Sequence, residues 1–244
     1  MRRLDRVTEF DLPSPGGGLR VVVCRPAAAP PPGGYGVIYA MDAGWSFGTL
    51  CDLEARAEGG PAQGARVPAV IVGLGWPSQA LIDCDRRGAD LVGAQAAATL
   101  ALLTGPLRAR IEAALPVDPA RRMILGHSFG GAFALQARAA HPALFSHVAA
   151  GSPSIWTDPE GLFAAAPRPG GRVLITLGAQ EEPEAAAAAG APPDRVARLR
   201  DRDMAGRARR MAAEMGARFV TLDGVGHGGA IPGFLAAAHA FLND

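Results

Sequence analysis

Hydrophobic residues in this chain gather into short, unbroken runs of the length of a β-strand. The runs occupy residues 19–24, 35–41, 67–74, 123–125 and 172–177, and a further short strand is expected at 218–222. Runs without polar alternation are typical of strands buried on both faces, as in a parallel sheet covered by helices. The pattern therefore predicts a mostly parallel central sheet.

Segments with helical spacing of apolar residues separate these runs. We expect helices over residues 50–58, 94–115, 195–215 and 232–242, with a restart at Gly105-Pro106, where proline suits a first turn. Alternating strands and helices predict an α/β fold with helices on both faces of the sheet. Because 244 residues is a common size for one such unit, we expect a single domain over residues 1–244. We interpret residues 181–194, which are rich in alanine and broken by prolines, as a mobile excursion beside the site.

Charge and cysteine content narrow the class of protein. The formal net charge is +1, and the arginine-rich stretch 195–210 is interspersed with Asp201 and Asp203, which predicts a solvated helix face rather than a nucleic-acid interface. No apolar run reaches the length of a membrane span, and residues 1–9 lack the apolar stretch of a signal peptide. The 3 cysteines have no metal-ligand spacing, which favours reduced thiols. We therefore expect a cytoplasmic protein whose partners include neither nucleic acid nor membrane.

Sequence signatures of metal and cofactor sites are missing. The chain has no His-x-x-x-His pair and no Gly-x-x-x-x-Gly-Lys phosphate loop. Gly73-Leu74-Gly75 ends a predicted strand but lacks the third glycine of a dinucleotide-binding turn. We expect neither a metal ion nor an organic cofactor.

The most informative motif follows the strand at 123–125. Gly126-His127-Ser128-Phe129-Gly130 leads from this strand into the apolar, alanine-rich segment 132–140. Gly-x-Ser-x-Gly in this setting is typical of a nucleophile elbow, a sharp turn that lifts the serine hydroxyl above the sheet. The two glycines remove Cβ atoms that would crowd the turn. Ser128 is the predicted nucleophile, and the alternative is a glycine-rich turn with a buried serine.

A serine hydroxyl needs a base, which is usually a histidine held by a carboxylate. Among the five histidines we favour His227, which follows a predicted strand in a glycine-rich loop, where an α/β sheet presents its chemistry. The strand at 172–177 lies between serine and histidine and leads into a loop that contains Glu181 and Glu182. The chain order serine, acid, histidine makes Glu181 our first choice for the acid. Glu182 is the second choice, and a Ser-His dyad without an acid is the third.

Backbone amides near the serine are candidates for an oxyanion hole. The Phe129 amide is one donor by the geometry of an elbow, and the loop after the strand at 35–41 supplies the second, for which we favour Ala43. Large apolar residues are candidates for the pocket wall, and their spacing fits a core equally well. They are Trp45, Phe47, Trp76, Phe129, Ile155 and Trp156.

Six segments of the chain carry a family resemblance. They are Val37-Ile38-Tyr39-Ala40-Met41-Asp42, Arg87-Gly88-Ala89-Asp90-Leu91, Gly126 to Gly131, Ser152-Pro153-Ser154-Ile155-Trp156, Gly178-Ala179-Gln180-Glu181 and Gly226-His227-Gly228. Together they resemble the esterase-D-like branch of the α/β-hydrolases, which includes siderophore trilactone esterases, S-formylglutathione hydrolase and related carboxylesterases. The resemblance implies the α/β-hydrolase fold, with Ser128 as nucleophile, His227 as base and Glu181 as acid. It also suggests that Arg87 binds substrate near the pocket; the alternative is a salt bridge with Asp90.

These predictions combine into a serine carboxylesterase that hydrolyses a small-molecule ester through an acyl-enzyme intermediate. A siderophore-type lactone is one candidate substrate, and Arg87, Trp45 and Trp156 are the candidate substrate-binding residues. An acyltransferase would use the same intermediate, and an inactive binding protein would keep the hydrolase fold alone. The oligomeric state is left open.

Overall fold

A computed structural model describes residues 6–59, 66–78, 80 and 82–244, and eight strands lie within them. The strands are β1 (Val7–Leu12), β2 (Leu19–Cys24), β3 (Tyr35–Met41), β4 (Ala69–Gly75), β5 (Val117–His127), β6 (His147–Gly151), β7 (Arg172–Gly178) and β8 (Arg218–Leu222). They form one sheet in the order β1-β2-β4-β3-β5-β6-β7-β8. From β4 onward in this order all neighbours are parallel, whereas β1 and β2 pair antiparallel at one edge. The mostly parallel sheet predicted from the sequence is confirmed.

Ten α-helices surround the sheet within the described ranges. They are α1 (Ala43–Glu58), α2 (Cys84–Leu91), α3 (Ala96–Leu102), α4 (Arg108–Ala114), α5 (Phe129–Ala140), α6 (Pro159–Ala165), α7 (Pro183–Ala188), α8 (Pro193–Arg202), α9 (Met204–Met215) and α10 (Ile231–Phe241).

Helices cover both faces of the sheet, as the unbroken apolar runs predict. Alternate residues of β3 point to opposite sides, because side chains in a strand alternate with a period of two. Tyr39 packs into a core that contains Phe133 of α5. Ile38 packs into a second core with Leu50 of α1 and Phe234 of α10. The strands are therefore buried on both sides, and their carboxyl ends meet at one edge of the sheet, where α/β folds bind ligands.

Three predicted helices have different bounds in the structure. Helix α1 begins at Ala43 instead of residue 50, because Asp42 takes a left-handed conformation (φ 58°) that starts the helix directly after β3. The segment 96–114 does not restart at Gly105-Pro106; a π-helical turn, Leu103–Leu107, accommodates the proline and keeps α3 and α4 continuous. The helix predicted over 195–215 is broken at Asp203, which is left-handed (φ 44°) and caps α9.

The segment 181–194 is also more ordered than predicted. It contains helix α7, which starts at Pro183, and the first turn of α8, which starts at Pro193. Proline at the first position favours a helix start, so the two prolines initiate helices here instead of interrupting a loop.

No helix in the described ranges is both long and apolar enough to cross a membrane. The residues 1–9 from which we predicted the lack of a signal peptide lie partly outside the described ranges, which begin at Arg6.

Candidate active site

The predicted elbow lies between β5 and α5. The backbone of Ser128 adopts φ 61° and ψ −116°, a conformation that residues other than glycine rarely take. Its backbone is held by three hydrogen bonds: the Ser128 N–H donates to Gly151 O (2.8 Å), and Ser128 O accepts from the N–H groups of Ala132 and Ser154 (both 3.0 Å). A Cβ on Gly126 would lie 2.4 Å from the carbonyl carbon of Gly130. The turn therefore requires glycine at position 126, as predicted.

His227 and Glu181 are in direct contact. His227 lies in the loop after β8, and its Nδ1 is 2.6 Å from Glu181 Oε2. The other carboxylate oxygen, Oε1, accepts hydrogen bonds from the Gly178 N–H (2.9 Å) and the Ser152 hydroxyl (2.5 Å). Glu181 is 1% exposed. Both oxygens are thus occupied by donors, which fixes the carboxylate behind the imidazole.

Glu182, the second candidate for the acid, lies elsewhere. Its carboxylate forms an ion pair with Arg209 of α9. Of the two glutamates, only Glu181 hydrogen-bonds to His227 in the described part of the chain.

Two serines at the end of β6 belong to this cluster, although sequence reasoning assigned them no role. Ser152 (φ 41°) is fully buried and donates to Glu181, while its N–H donates to Thr176 O (2.8 Å). Ser154 Oγ lies 3.1 Å from Ser128 Oγ. The available signal was the Ser152-Pro153-Ser154 segment itself, which follows a predicted strand. Its importance depends on β6 lying between β5 and β7, which local sequence does not reveal.

Ser128 and His227 line the same cavity, which has a volume of about 330 Å³. The hydrogen bond that the structure gives Ser128 Oγ is to Ser154, and within the described ranges none joins it to His227. Catalytic hydrogen bonds are often long or misaligned before substrate binds. The His227 side chain is 38% exposed, so a ligand in the cavity can reach it.

His127 lies beneath His227 and is buried at 3% exposure. The two ring centroids are 4.6 Å apart, and Trp45 packs edge-on against His127 from 5.9 Å. Burial lowers the pKa of His127 to about 3, and the positive charge of Arg87 acts in the same direction. His127 is therefore neutral at pH 7 and serves as an uncharged support for the neighbouring imidazole.

Arg87 is engaged inside the protein. Its Nε lies 2.6 Å from Asp42 Oδ1, and its Nη2 donates to the His127 carbonyl (2.8 Å). Burial raises the pKa of Asp42, while the hydrogen bond from Arg87 opposes that shift. The predicted alternative, a salt bridge to Asp90, is made by Arg86 instead, at 2.9 Å. Arg87 thus connects the end of β3 to the residue that precedes Ser128.

The cavity wall includes some of the predicted pocket residues. It is lined by Ser128, Phe129, Ser154, Trp156, Glu181, Arg195, Arg198, Leu199, Arg202, Met204 and His227. Trp45, in contrast, contacts His127, and Ala43 lines an adjacent cavity of about 320 Å³ together with Phe47 and Trp76. The arginines of α8, which we predicted as a solvated face, contribute three of the lining side chains.

Comparison with known proteins identifies the family. Residues 13–209 match the family described as "Putative esterase". The chain belongs to this family. The resemblance predicted from the six sequence segments is thereby confirmed.

Two relatives are identical to this chain at about a third of the positions over part of their length. Ferri-bacillibactin esterase BesA of Bacillus subtilis strain 168 is 32% identical over 158 residues, which cover 57% of this chain and 55% of BesA. Siderophore triacetylfusarinine C esterase of Aspergillus fumigatus is 33% identical over 131 residues, 49% of this chain and 44% of that protein. The chain thus spans about half the length of the curated relatives it matches. Both are named esterases, in agreement with the predicted enzyme class.

Solved structures extend the similarity to the whole fold. Siderophore hydrolase EstB from Aspergillus nidulans has a TM-score of 0.85 at 20% identity, covering 99% of this chain and 96% of EstB. BES protein from Bacillus cereus has a TM-score of 0.78 at 20% identity, covering 97% and 94%. The predicted α/β-hydrolase fold is confirmed.

Proposed function

We propose that this protein is a serine carboxylic ester hydrolase in which Ser128, His227 and Glu181 form the catalytic triad. The observation that carries the proposal is the 2.6 Å contact between His227 Nδ1 and the buried Glu181 carboxylate, next to a serine in a strained elbow. A carboxylate at Nδ1 holds the imidazole so that Nε2 is free to accept a proton from the serine hydroxyl. The geometry of the three residues supports the roles expected from the sequence.

The reaction follows from these positions. Ser128 Oγ attacks the ester carbonyl while His227 accepts its proton, and His227 then donates this proton to the departing alcohol. Water, activated by the same histidine, attacks the acyl-serine and releases the acid. Glu181 holds the imidazole at Nδ1 throughout and stabilises the imidazolium that forms.

The oxyanion hole in this proposal uses the amides of Phe129 and Ala43. These residues are the first of helices α5 and α1, and first-turn N–H groups have no partner within their own helix. Within the described ranges neither amide donates to another backbone or side-chain acceptor. Two free donors at helix N-termini are suited to a developing negative charge.

The relatives favour a siderophore-type ester as the substrate, because one is named a siderophore triacetylfusarinine C esterase and another a ferri-bacillibactin esterase. We also propose that residues 1–244 fold as one domain, since a single sheet runs from β1 to β8.

Activity against p-nitrophenyl acetate, together with labelling by a fluorophosphonate probe, tests the proposed chemistry. Ser128→Ala should abolish both readouts while the far-ultraviolet circular dichroism spectrum stays unchanged. His227→Ala should be equally damaging, and the double variant should be no worse, because nucleophile and base act as a unit. Hydrolysis that survives in purified, folded Ser128→Ala protein would refute the proposal.

A further inference from the structure

Helix α8 presents three arginines to the Ser128 cavity. Arg195, Arg198 and Arg202 lie at i, i+3 and i+7, so they share one face of the helix, and all three line the cavity. Val196, on another face, is 6% exposed and anchors the helix in the core. The cationic face of α8, defined by these three arginines, is therefore a wall of the catalytic cavity.

The charges of this face are only partly compensated. Arg198 pairs with Asp194 at 2.9 Å, whereas Arg195 and Arg202 have no carboxylate partner in the described part of the chain. Two arginines of the same region that do not line the cavity have carboxylate partners: Arg200 pairs with Glu184 at 3.4 Å, and Arg210 pairs with Glu214 at 2.7 Å.

The cavity offers these arginines no free anion of its own. Glu181 is the carboxylate among its lining residues, and both oxygens of Glu181 are occupied by His227, Gly178 and Ser152. The chain as a whole carries a formal net charge of only +1. The excess of positive charge is therefore local to the cavity and does not reflect a basic protein.

Two of the guanidinium groups are held in place by their surroundings. The guanidinium carbon of Arg202 lies 4.2 Å from the centre of the Trp156 ring, a cation–π contact that keeps the N–H edges available. Arg195 Nη2 lies 2.8 Å from the position that a Cβ on Gly226 would occupy, so it packs against the loop that carries His227. One cation thus lies beside a pocket aromatic, and the other lies beside the proposed base.

From this arrangement we propose that the cationic face of α8 selects esters that carry an anionic oxygen group, a carboxylate or ionised phenolate, close to the scissile bond. The inference rests on the proposed ester hydrolase function. Guanidinium groups present paired donors that match the two oxygens of such anions, and the partly enclosed site strengthens the attraction. Neutral esters of the same size enter the cavity without this contribution.

Matched pairs of esters test the charge preference. One pair carries the charge in the acyl part, p-nitrophenyl hemiglutarate against its methyl ester. The other carries it in the alcohol part, 4-carboxyphenyl acetate against 4-methoxycarbonylphenyl acetate. We expect kcat/KM to favour the anionic member of at least one pair by about tenfold or more at low ionic strength, and 0.5 M NaCl to reduce that preference.

Variants assign the preference to α8. In Arg195→Gln/Arg202→Gln, the preference should be largely lost, because each unit charge at contact distance in water contributes about fivefold. The readout is the ratio of kcat/KM within each pair, so a change in activity that both members share leaves it unaffected. The control, Arg200→Gln/Arg210→Gln, removes the same net charge away from the cavity and should keep the wild-type preference. An unchanged ratio in the first variant, or an equal loss in the control, would overturn the proposal.

Binding separates this proposal from the proposed reaction. If no ester is hydrolysed, the ester hydrolase function fails, but quenching of tryptophan fluorescence in Ser128→Ala still measures the Kd of each ester. Tighter binding of the anionic member, lost in the α8 variant, supports the charge preference even then. Equal Kd values within both pairs would refute it.

Discussion

Replacing Glu181 by glutamine keeps the shape of the side chain but breaks its hydrogen-bonding pattern. Oε2 faces His227 Nδ1 at 2.6 Å, and Oε1 faces donors from Gly178 and Ser152. The amide NH2 of glutamine must occupy one of these two positions. Facing His227, it makes Nδ1 an acceptor and moves the proton to Nε2, the nitrogen that must accept from Ser128. Facing Gly178, it sets two N–H donors against each other in a buried site.

The first orientation removes the base in its active tautomer. The second keeps the tautomer but leaves the buried Gly178 N–H without an acceptor, and both orientations remove the negative charge that stabilises the imidazolium. The corresponding change in a serine protease triad lowers kcat by about 10⁴-fold, and we expect a loss of about 10³- to 10⁴-fold here. This corresponds to about 4–5 kcal/mol of activation free energy. The loss should appear in kcat more than in KM, because Glu181 is buried and acts on the reaction through His227.

The assay is steady-state hydrolysis of p-nitrophenyl acetate at pH 7, with Glu182→Gln as the matched control. Glu182 pairs with Arg209, so its variant should retain activity within about twofold. If Glu181→Gln keeps wild-type hydrolysis and Glu182→Gln loses it, the acid is Glu182 and our choice of Glu181 is wrong. Two silent variants would indicate a Ser-His dyad.

Three further predictions concern stability, each measured by urea unfolding. Gly126→Ala should lower the free energy of unfolding by about 3 kcal/mol or more, because the added Cβ would lie 2.4 Å from the Gly130 backbone. The control is Gly48→Ala, whose added Cβ has no atom within 4 Å, and it should leave the stability unchanged or raise it. Arg87→Gln leaves the buried Asp42 carboxylate without its positive partner, so the free energy of unfolding should fall by about 3 kcal/mol at pH 8. The fall should be smaller at pH 5, because burial raises the pKa of Asp42 and favours its neutral form. Burial lowers the pKa of His147 to about 4, so as the pH falls from about 6.5 toward 4 the unfolded chain binds the proton first and the folded state loses stability. His147→Gln should reduce that loss by about 2 kcal/mol. An unchanged pH dependence of the free energy of unfolding would contradict this assignment.

The sheet could be predicted from the sequence because its strands are buried on both faces, which leaves a continuous apolar signal at residues 35–41 and 172–177. Edge strand β1 (Val7–Leu12) was missed, since it is largely exposed on one side and has no such run. The early start of α1 depends on the left-handed Asp42, a conformation stabilised by tertiary contacts with Arg87 rather than by local preference.

In the candidate site, too, some residues have a local sequence signal and others depend on tertiary contacts. Ser128, Glu181 and His227 each follow a strand and have a local signature, so the sequence was sufficient to nominate them. The partners Ser152 and Ser154 are defined by the neighbourhood of β5, β6 and β7, and that neighbourhood exists only after the sheet has assembled. Arg87 was given the wrong alternative, a salt bridge with Asp90, for a related reason. Its partners, Asp42 and the His127 carbonyl, are 45 and 40 residues away in sequence.

The helices α7 to α9 lie between β7 and β8, and therefore between the proposed acid and the proposed base in chain order. The contacts that hold Glu181 come from Gly178, Ser152 and His227, all at the ends of strands, whereas the cationic wall comes from α8. In the proposed enzyme, reactivity and selectivity thus reside in separable parts of the chain. A lineage could exchange the α8 face for an apolar or acidic one and acquire new substrates without rebuilding its catalytic centre, and protein engineers could use the same segment as an exchangeable cassette.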